Sequence, residues 1–176
     1  MMTLVIGGAA SGKSEFAETQ VLESGEGPRY YIATMQPFDK ECLARIHRHR
    51  QMREKKQFQT IECYVNLSSV TLPEKGTVLL ECMSNLVANE MYSPEGAGAN
   101  AIEAILQGIE HLRAQCKNQV IVSNEVFSGG TAYQGDTLSY LKTLALVNRA
   151  LAAKADKVYE IVCSLPVCHK GKEAAL

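Results

Sequence analysis

The stretch Gly7-Gly8-Ala9-Ala10-Ser11-Gly12-Lys13-Ser14 decides the fold of this 176-residue chain. It follows an apolar run over Met2 to Ile6 and precedes a pattern of helical spacing over Ser14 to Leu22. The eight residues match GxxxxGK(S/T), and a strand before this motif with a helix after it is the context in which it forms a phosphate-binding loop. The sequence therefore predicts a strand, a phosphate-binding loop and a helix, in that order, at the start of the chain.

The residue types in this loop suit a nucleoside triphosphate. Glycines allow the main chain to curl so that its N–H groups surround phosphate oxygens, and the start of the following helix favours negative charge. Lys13 is predicted to reach the β- and γ-phosphates, and the Ser14 hydroxyl to bind Mg²⁺. The alternative is a glycine-rich turn that binds nothing. The motif names neither the base of the nucleotide nor the reaction.

Further apolar runs along the chain are continuous rather than alternating, which is typical of strands buried on both faces of a parallel sheet. Segments with helical spacing or dense charge separate them. We therefore predict an α/β fold of the P-loop NTPase type (RecA-like), in which helices flank a mostly parallel sheet, as a single nucleotide-binding domain over residues 1–176. The predicted strands are Met2–Ile6, Tyr30–Ala33, Val78–Leu80, Val120–Val122 and Val158–Val162, and the predicted helices are Ser14–Leu22, Asp39–Lys56, Ile102–Cys116 and Leu141–Leu151.

The composition is that of an ordinary globular protein, with 46% hydrophobic and 21% charged residues. The 18 Lys and Arg nearly balance the 19 Asp and Glu, whereas a dedicated nucleic-acid binder usually carries a basic excess. No apolar run approaches the length of about 18 residues that a membrane span requires. The start of the chain lacks a basic leader, so we expect a cytoplasmic protein with six reduced, mostly buried cysteines. From the charge balance we expect no nucleic-acid partner.

A phosphate loop also needs an acid near the metal ion, usually at the end of a neighbouring strand. Glu81 directly follows the predicted strand Val78–Leu80 and is the first candidate. It is expected either to bind Mg²⁺ through water or to act as a base for a substrate hydroxyl, the alternative being a solvated carboxylate. Glu125 follows another predicted strand and has weaker support.

A basic segment over residues 40–56 holds seven of the 18 Lys and Arg. At about 100° per residue, Arg45, His49 and Arg53 share one face of the predicted helix, while His47 points nearly the opposite way. Two guanidiniums beside His49 disfavour its cationic form, and a neutral imidazole is what a nucleophile needs. The same arginines suit the phosphates of a nucleotide. The plainer alternative is a histidine on a solvated basic helix.

Together these motifs resemble the bifunctional adenosylcobinamide kinase / adenosylcobinamide-phosphate guanylyltransferase family of cobalamin biosynthesis, nearly end to end. The phosphate loop is similar to the family's GGARSGKS, and the segment around His49 is similar to its D-x-E…R-I-x-x-H-x-x-x-R. The combination is far more specific than any one motif. The other matching segments are Tyr31-Ile32-Ala33-Thr34, Leu80-Glu81-Cys82 with Asn89, Ser123-Asn124-Glu125-Val126 and Val147-Asn148-Arg149-Ala150-Leu151-Ala152, which resemble YIAT, a strand-end acid with a following asparagine, T/S-N-E-V and V-N-Q-x-L-A.

This resemblance implies a two-step chemistry and a homotrimer. A nucleoside triphosphate, ATP or GTP, phosphorylates the aminopropanol hydroxyl of adenosylcobinamide. GTP then transfers its guanylyl group through an enzyme histidine to the phosphorylated substrate, giving adenosylcobinamide-GDP; the R-I-x-x-H match places this histidine at His49. The catalytic candidates are thus His49, Lys13 and Glu81, the Mg²⁺-binding candidates are Ser14 and Glu81, and the nucleotide-binding candidates are Gly7, Gly8, Ala9, Ala10, Ser11, Gly12, Lys13, Ser14, Arg45, Arg53 and Glu62.

Two departures from the family pattern each remove an arginine. Ala10 replaces the arginine of GGARSGKS, and Tyr140-Leu141-Lys142 stands where many members carry an aromatic-Arg-Asp run. Because arginine stabilises charge on a transferring phosphoryl group, a guanylyltransferase with a weak or absent kinase step is an alternative. Other open alternatives are another small-metabolite P-loop kinase, a non-catalytic nucleotide-binding subunit, and a basic helix that binds RNA.

Overall fold

The computed structural model of the chain describes residues 1–36, 56–127 and 133–171. Within these residues seven strands form one sheet and four α-helices flank it. Two short 3-10 turns lie at Leu67–Ser69 and Gly98–Asn100. The elements are β1 (Met2–Gly7), α1 (Lys13–Glu23), β2 (Arg29–Ala33), β3 (Phe58–Glu62), β4 (Thr77–Leu80), α2 (Met83–Tyr92), α3 (Ala101–Gln115), β5 (Asn118–Asn124), α4 (Gly135–Lys154), β6 (Lys157–Val162) and β7 (Leu165–Lys170).

The strand order across the sheet is β3-β2-β4-β5-β1-β6-β7. All neighbouring pairs are parallel except β6 and β7, which form an antiparallel hairpin. Gly7 at the end of β1 is level with Asn124 of β5 and Ile161 of β6. The carboxyl ends of the parallel strands therefore meet at one edge of the sheet, which is where open α/β sheets bind their ligands.

Both faces of the sheet are covered, which explains the continuous apolar runs in the sequence. In β4, the side chain of Leu79 packs in the same cluster as Ala17 and Val21 of α1. Its neighbours Val78 and Leu80 belong to the larger cluster on the opposite face, with residues of α2, α3 and α4. All three β4 side chains are at most 2% exposed. Such a strand has no polar face to give an alternating pattern.

The predicted fold class and all five predicted strands are confirmed, each to within a few residues. The patterns do not predict the edge strands β3 and β7 or the helix α2. In β3 burial is incomplete because the strand lies at the edge, and β7 contains Pro166 and is mostly exposed. The predicted helix Asp39–Lys56 lies outside the described residues except for Lys56, which is in a turn.

The five described cysteines are free thiols, and burial differs among them. Cys63 is buried, three are partly buried and Cys163 is exposed, so the expectation of mostly buried thiols is wrong for the described cysteines. Among the described helices, none has both the length and the apolar character that crossing a membrane would demand.

Candidate active site

The phosphate loop joins β1 to α1 and has the backbone conformation that its glycines allow. Gly12 has φ 94° and Ala10 has φ 53°, and the N–H of Ser11 donates to the carbonyl of Gly8 at 3.3 Å. The first helical hydrogen bond runs from the N–H of Phe16 to the carbonyl of Gly12 at 3.1 Å. The N–H groups at the start of α1 therefore have no partner within the helix and face the loop, as anion binding requires.

Lys13 is held inside this loop. Its ammonium group donates to the carbonyl oxygen of Gly8 at 2.7 Å, and the residue is only 8% exposed. Burial lowers the pKa of Lys13, since removing water disfavours the charged form, while the Cys82 thiol acts in the opposite direction. A phosphate group would supply the negative charge that this ammonium lacks in its present surroundings.

Ser14 and Glu81 line the same small cavity, together with Glu18, Tyr31, Leu79 and Val122. The cavity volume is about 10 Å³, close to the space that one water molecule occupies. A hydroxyl and a carboxylate are hard oxygen ligands of the kind that Mg²⁺ prefers, and Mg²⁺ normally keeps several waters. These two residues fit such an ion. No cluster of three or more His, Cys, Asp or Glu among the described residues could hold a metal by itself, so phosphate oxygens and water would complete the shell.

Glu125, at the end of β5, lies closer to β1 in the strand order than Glu81 does. Its carboxylate accepts a hydrogen bond from a main-chain N–H two residues further along. Its N–H donates to the carbonyl of Gly7 at 2.9 Å, which fixes the end of β5 beside the start of the phosphate loop. Its carboxylate accepts the N–H of Phe127 at 2.9 Å. Between the two strand-end acids, the described geometry therefore favours Glu81 as the partner of Ser14.

The turn between β6 and β7 contacts the phosphate loop, and the sequence analysis missed this contact. The N–H of Ser164 donates to the carbonyl of Ser11 at 2.8 Å. A Cβ atom added to Gly12 would lie 2.8 Å from the Ser164 hydroxyl oxygen, so glycine is required at that position by close approach as well as by φ. The two turn residues Cys163 and Ser164 both have positive φ, 50° and 65°. No local sequence signal places this turn against residues near the start of the chain.

Asn89 of α2 holds together the loops that follow β2 and β3. Its side-chain amide donates to the carbonyls of Thr34 and Tyr64, both at 2.9 Å. The Thr34 hydroxyl in turn donates to the carbonyl of Cys82 at 2.9 Å. The residue that matched the family's asparagine is thus a buried structural clamp at the carboxyl edge of the sheet.

Glu62 is exposed at the carboxyl end of β3, where it accepts a hydrogen bond from the Tyr64 hydroxyl at 3.0 Å. Four inter-strand steps separate β3 from β1, which at about 4.8 Å each corresponds to roughly 19 Å across the sheet. The described structure therefore does not bring Glu62 to the phosphate loop. If Glu62 contacts the nucleotide as predicted, it does so on the same edge of the sheet but away from the phosphate loop.

Arg45, His49 and Arg53 lie outside the described residues. The chain enters their segment after Gln36, whose side-chain amide donates to the Ser93 hydroxyl at 3.3 Å. It leaves the segment at Lys56, whose ammonium pairs with the Glu18 carboxylate on α1. Glu18 lines the cavity shared by Ser14 and Glu81, so the described end of this segment is fixed beside the candidate Mg²⁺ site.

A mostly parallel sheet whose first strand ends in a phosphate loop defines a P-loop nucleotide-binding protein of the NTPase class. In agreement, a solved structure of an ATPase domain superposes with a TM-score of 0.53 at 9% identity, over 90% of this chain and 68% of that one. At this identity the likeness concerns the fold alone.

The chain belongs to the cobinamide kinase / cobinamide phosphate guanyltransferase family, whose sequence model matches residues 3–168. It is 35% identical to the bifunctional adenosylcobalamin biosynthesis protein CobU of Salmonella typhimurium, over 95% of this chain and 98% of that protein. It is 29% identical to the bifunctional protein CobP of Pseudomonas aeruginosa, over 98% and 99%. The predicted family is therefore confirmed, and the protein is an enzyme of the kinase and guanylyltransferase type.

Proposed function

We propose that the protein phosphorylates the aminopropanol hydroxyl of adenosylcobinamide and then transfers GMP from GTP to adenosylcobinamide phosphate through His49. The observation that carries the proposal is the convergence of Lys13, Ser14 and Glu81 at one phosphate loop, in a chain of this family. The relatives are bifunctional in name, and both half-reactions act on phosphate groups that such a loop binds.

In the kinase step, the substrate alcohol oxygen attacks the γ-phosphorus and the nucleoside diphosphate leaves. Lys13 would neutralise charge on the β- and γ-phosphates, a preorganised electrostatic contribution that needs no reorganisation during the reaction. Glu81 would either accept the alcohol proton or hold the metal through water. Mg²⁺ bound by Ser14 and Glu81 would offset the negative charge of the triphosphate.

In the guanylyl step, a neutral imidazole nitrogen of His49 attacks the α-phosphorus of GTP and pyrophosphate leaves. A phosphate oxygen of adenosylcobinamide phosphate then attacks the same phosphorus, which releases His49 and gives adenosylcobinamide-GDP. This role of His49 rests on the match to R-I-x-x-H and on the helical face that the spacing predicts it to share with Arg45 and Arg53. The family resemblance also leads us to propose a cytoplasmic homotrimer.

Covalent labelling with α-labelled GTP tests the histidine step. We expect label to remain on the wild-type protein after denaturing electrophoresis and to be released by acid, because a phosphoramidate bond is acid-labile. His49→Asn should abolish the label because the nucleophile is lost, whereas His47→Asn should largely retain it. Both variants should still phosphorylate adenosylcobinamide, since the phosphate loop is unchanged.

The opposite labelling pattern, with His47 required and His49 dispensable, would show that the helical register has been misassigned. If the wild type is not labelled but still phosphorylates adenosylcobinamide, the covalent guanylyl step is wrong and the protein is a kinase only.

A further inference from the structure

A second cavity opens at the carboxyl edge, between the end of α2 and the start of α4. Its volume is about 250 Å³, and it is lined by Ala88, Tyr92, Asp136, Thr137 and Tyr140. Tyr92 is 52% exposed, so its ring is accessible from the solvent. None of these five residues takes part in the phosphate loop or in the cavity between Ser14 and Glu81.

The two tyrosine hydroxyls of this cavity are available as hydrogen-bond acceptors. The Tyr92 hydroxyl donates to the carbonyl of Asp136 at 2.9 Å, and the Tyr140 hydroxyl donates to the carbonyl of Ser84 at 3.3 Å. Each hydroxyl has thus used its only proton, and its oxygen can still accept. Desolvation raises the pKa of both tyrosines, with a further contribution from the Asp136 charge at Tyr92, so both keep that proton at neutral pH.

Asp136 adds further acceptors to the cavity, and the Thr137 hydroxyl can both accept and donate. The Asp136 side chain is exposed, and its ionised carboxylate only accepts hydrogen bonds. The aromatic rings and the Ala88 methyl group supply apolar walls between these oxygens. A complementary ligand therefore has a large apolar body with N–H donors on its periphery.

Hydrogen bonds connect this cavity to the phosphate loop in few steps. Ser84, which accepts from Tyr140 through its carbonyl, also accepts the N–H of Asn124 on its hydroxyl at 3.3 Å. The next residue, Glu125, donates its N–H to the carbonyl of Gly7. The cavity and the phosphate loop are therefore linked through the ends of α2 and β5 on the same edge of the sheet.

We propose that the pocket formed by Ala88, Tyr92, Asp136, Thr137 and Tyr140 binds the amide-bearing periphery of the corrinoid substrate. Primary amide arms provide N–H donors for the acceptor oxygens, and the corrin body packs on the Tyr92 and Tyr140 rings. The aminopropanol arm can then extend toward the phosphate loop. This inference rests on the proposed function, because it assigns a position to the substrate of that reaction.

Binding of adenosylcobinamide to purified full-length variants tests the pocket. Tyr92→Ala removes the exposed ring, and we expect it to raise both the Kd from equilibrium dialysis and the KM for adenosylcobinamide by about tenfold or more. Tyr92→Phe keeps the ring and should have a smaller effect. Asp136→Asn, which replaces an acceptor oxygen with a donor, should also weaken binding. The kcat at saturating corrinoid and the Kd for nucleotide should stay near wild type.

Leu146→Ala is the matched control, since Leu146 is an exposed apolar residue of the same helix that does not line the pocket. It should change neither constant. If the wild type binds adenosylcobinamide and Tyr92→Ala binds it equally well, the pocket assignment is overturned while the proposed function stands. If the wild type does not bind adenosylcobinamide at all, the proposed function fails and this inference fails with it.

Discussion

Ala10 occupies the position in the phosphate loop where the family pattern has arginine. The residue is exposed and has φ 53°, in the left-handed region. Since every residue other than glycine, asparagine and aspartate pays a similar conformational cost there, an arginine would fit this backbone about as well as alanine does. Its absence is therefore a loss of charge at the loop surface and not a change of loop shape.

Ala10→Arg is expected to raise the rate of adenosylcobinamide phosphorylation, by a factor of up to about 10². The physical reason is that a guanidinium beside the loop would stabilise charge on the transferring phosphoryl group. The rate of guanylyl transfer should change little, because we propose that this step depends on His49, Arg45 and Arg53. Separate assays of the two half-reactions on the wild type and the variant provide the measurement.

The neighbouring loop residue supplies the control for this change. Ala9 is also exposed, so Ala9→Arg adds the same charge one position away. If both variants raise the kinase rate equally, the effect is nonspecific attraction of nucleotide. If neither does, and the wild-type kinase rate already equals that of guanylyl transfer, Lys13 and Ser14 suffice without the arginine.

In the β6–β7 hairpin the residues of the turn are not the types that its conformation favours. Val162 pairs with Leu165, which leaves Cys163 and Ser164 as a two-residue turn with positive φ at both positions. This is the conformation of a type I′ turn, in which Asn-Gly is strongly preferred. The strained turn lies against the phosphate loop through the Ser164 N–H, so local strain is maintained at the candidate site.

The double variant Cys163→Asn with Ser164→Gly should raise the free energy of unfolding by about 1 kcal/mol. A residue with a Cβ in the left-handed region costs about 1–2 kcal/mol, and part of the gain is offset by the greater freedom of glycine in the unfolded chain. Urea denaturation measures the change. Nucleotide affinity should be retained, because the Ser164 N–H is a main-chain donor.

Ser164→Ala serves as the comparison, since it keeps the Cβ and therefore the strain. It should not reproduce the gain in stability. A double variant that is less stable than the wild type would show that the Ser164 side chain contributes more at Gly12 than the turn conformation costs.

At the scale of the whole molecule, the carboxyl and amino ends of the strands form two edges of the sheet that differ in function. The carboxyl edge carries the phosphate loop and both cavities discussed above, whereas at the amino edge the start of β1 is bound to Asp156, just before β6. There the N–H of Met2 donates to the Asp156 carboxylate at 2.6 Å, and the N–H of Asp156 donates to the carbonyl of Met2 at 2.8 Å. The first of these bonds lowers the pKa of Asp156 below its ordinary value of 3.8, with added contributions from nearby cations.

Asp156→Asn should reduce stability at neutral pH by less than about 1 kcal/mol, since the carboxylate is exposed and screened by water. A carboxyl group with a lowered pKa in the folded state stabilises the protein above its unfolded-state pKa. That contribution is lost as the pH falls through the folded-state pKa. The wild type and the variant should therefore differ most above pH 5 and converge as the pH falls through the lowered pKa of Asp156, as measured by urea denaturation.

Loss of any surface carboxylate could alter stability through net charge, so Glu26→Gln in the loop after α1 is the control. It should not reproduce the Asp156 profile. A difference between wild type and Asp156→Asn that stays constant as the pH falls through the lowered pKa of Asp156 would mean that the Met2 contact does not depend on charge.

The sequence alone was enough for the phosphate loop, the buried strands and the family. These rest on local signals, because a glycine-rich octapeptide after an apolar run needs no distant partner to be recognised. A strand covered on both faces likewise has a continuous apolar pattern wherever it lies in the sheet. The same reasoning explains why the edge strand β3 and the exposed hairpin strand β7 were missed, since neither is buried on both faces.

Only the tertiary structure decided which distant residues meet at the carboxyl edge. The sequence made Glu81 the first candidate acid and Glu125 the weaker one, and the structure places Glu81 in one cavity with Ser14. Likewise, no pattern in the sequence associates Ser164 with Ser11, or Tyr92 with Asp136. The physical reason is that strand order and crossover connections bring these residues together. That order depends on how all the apolar faces pack at once and not on any one segment.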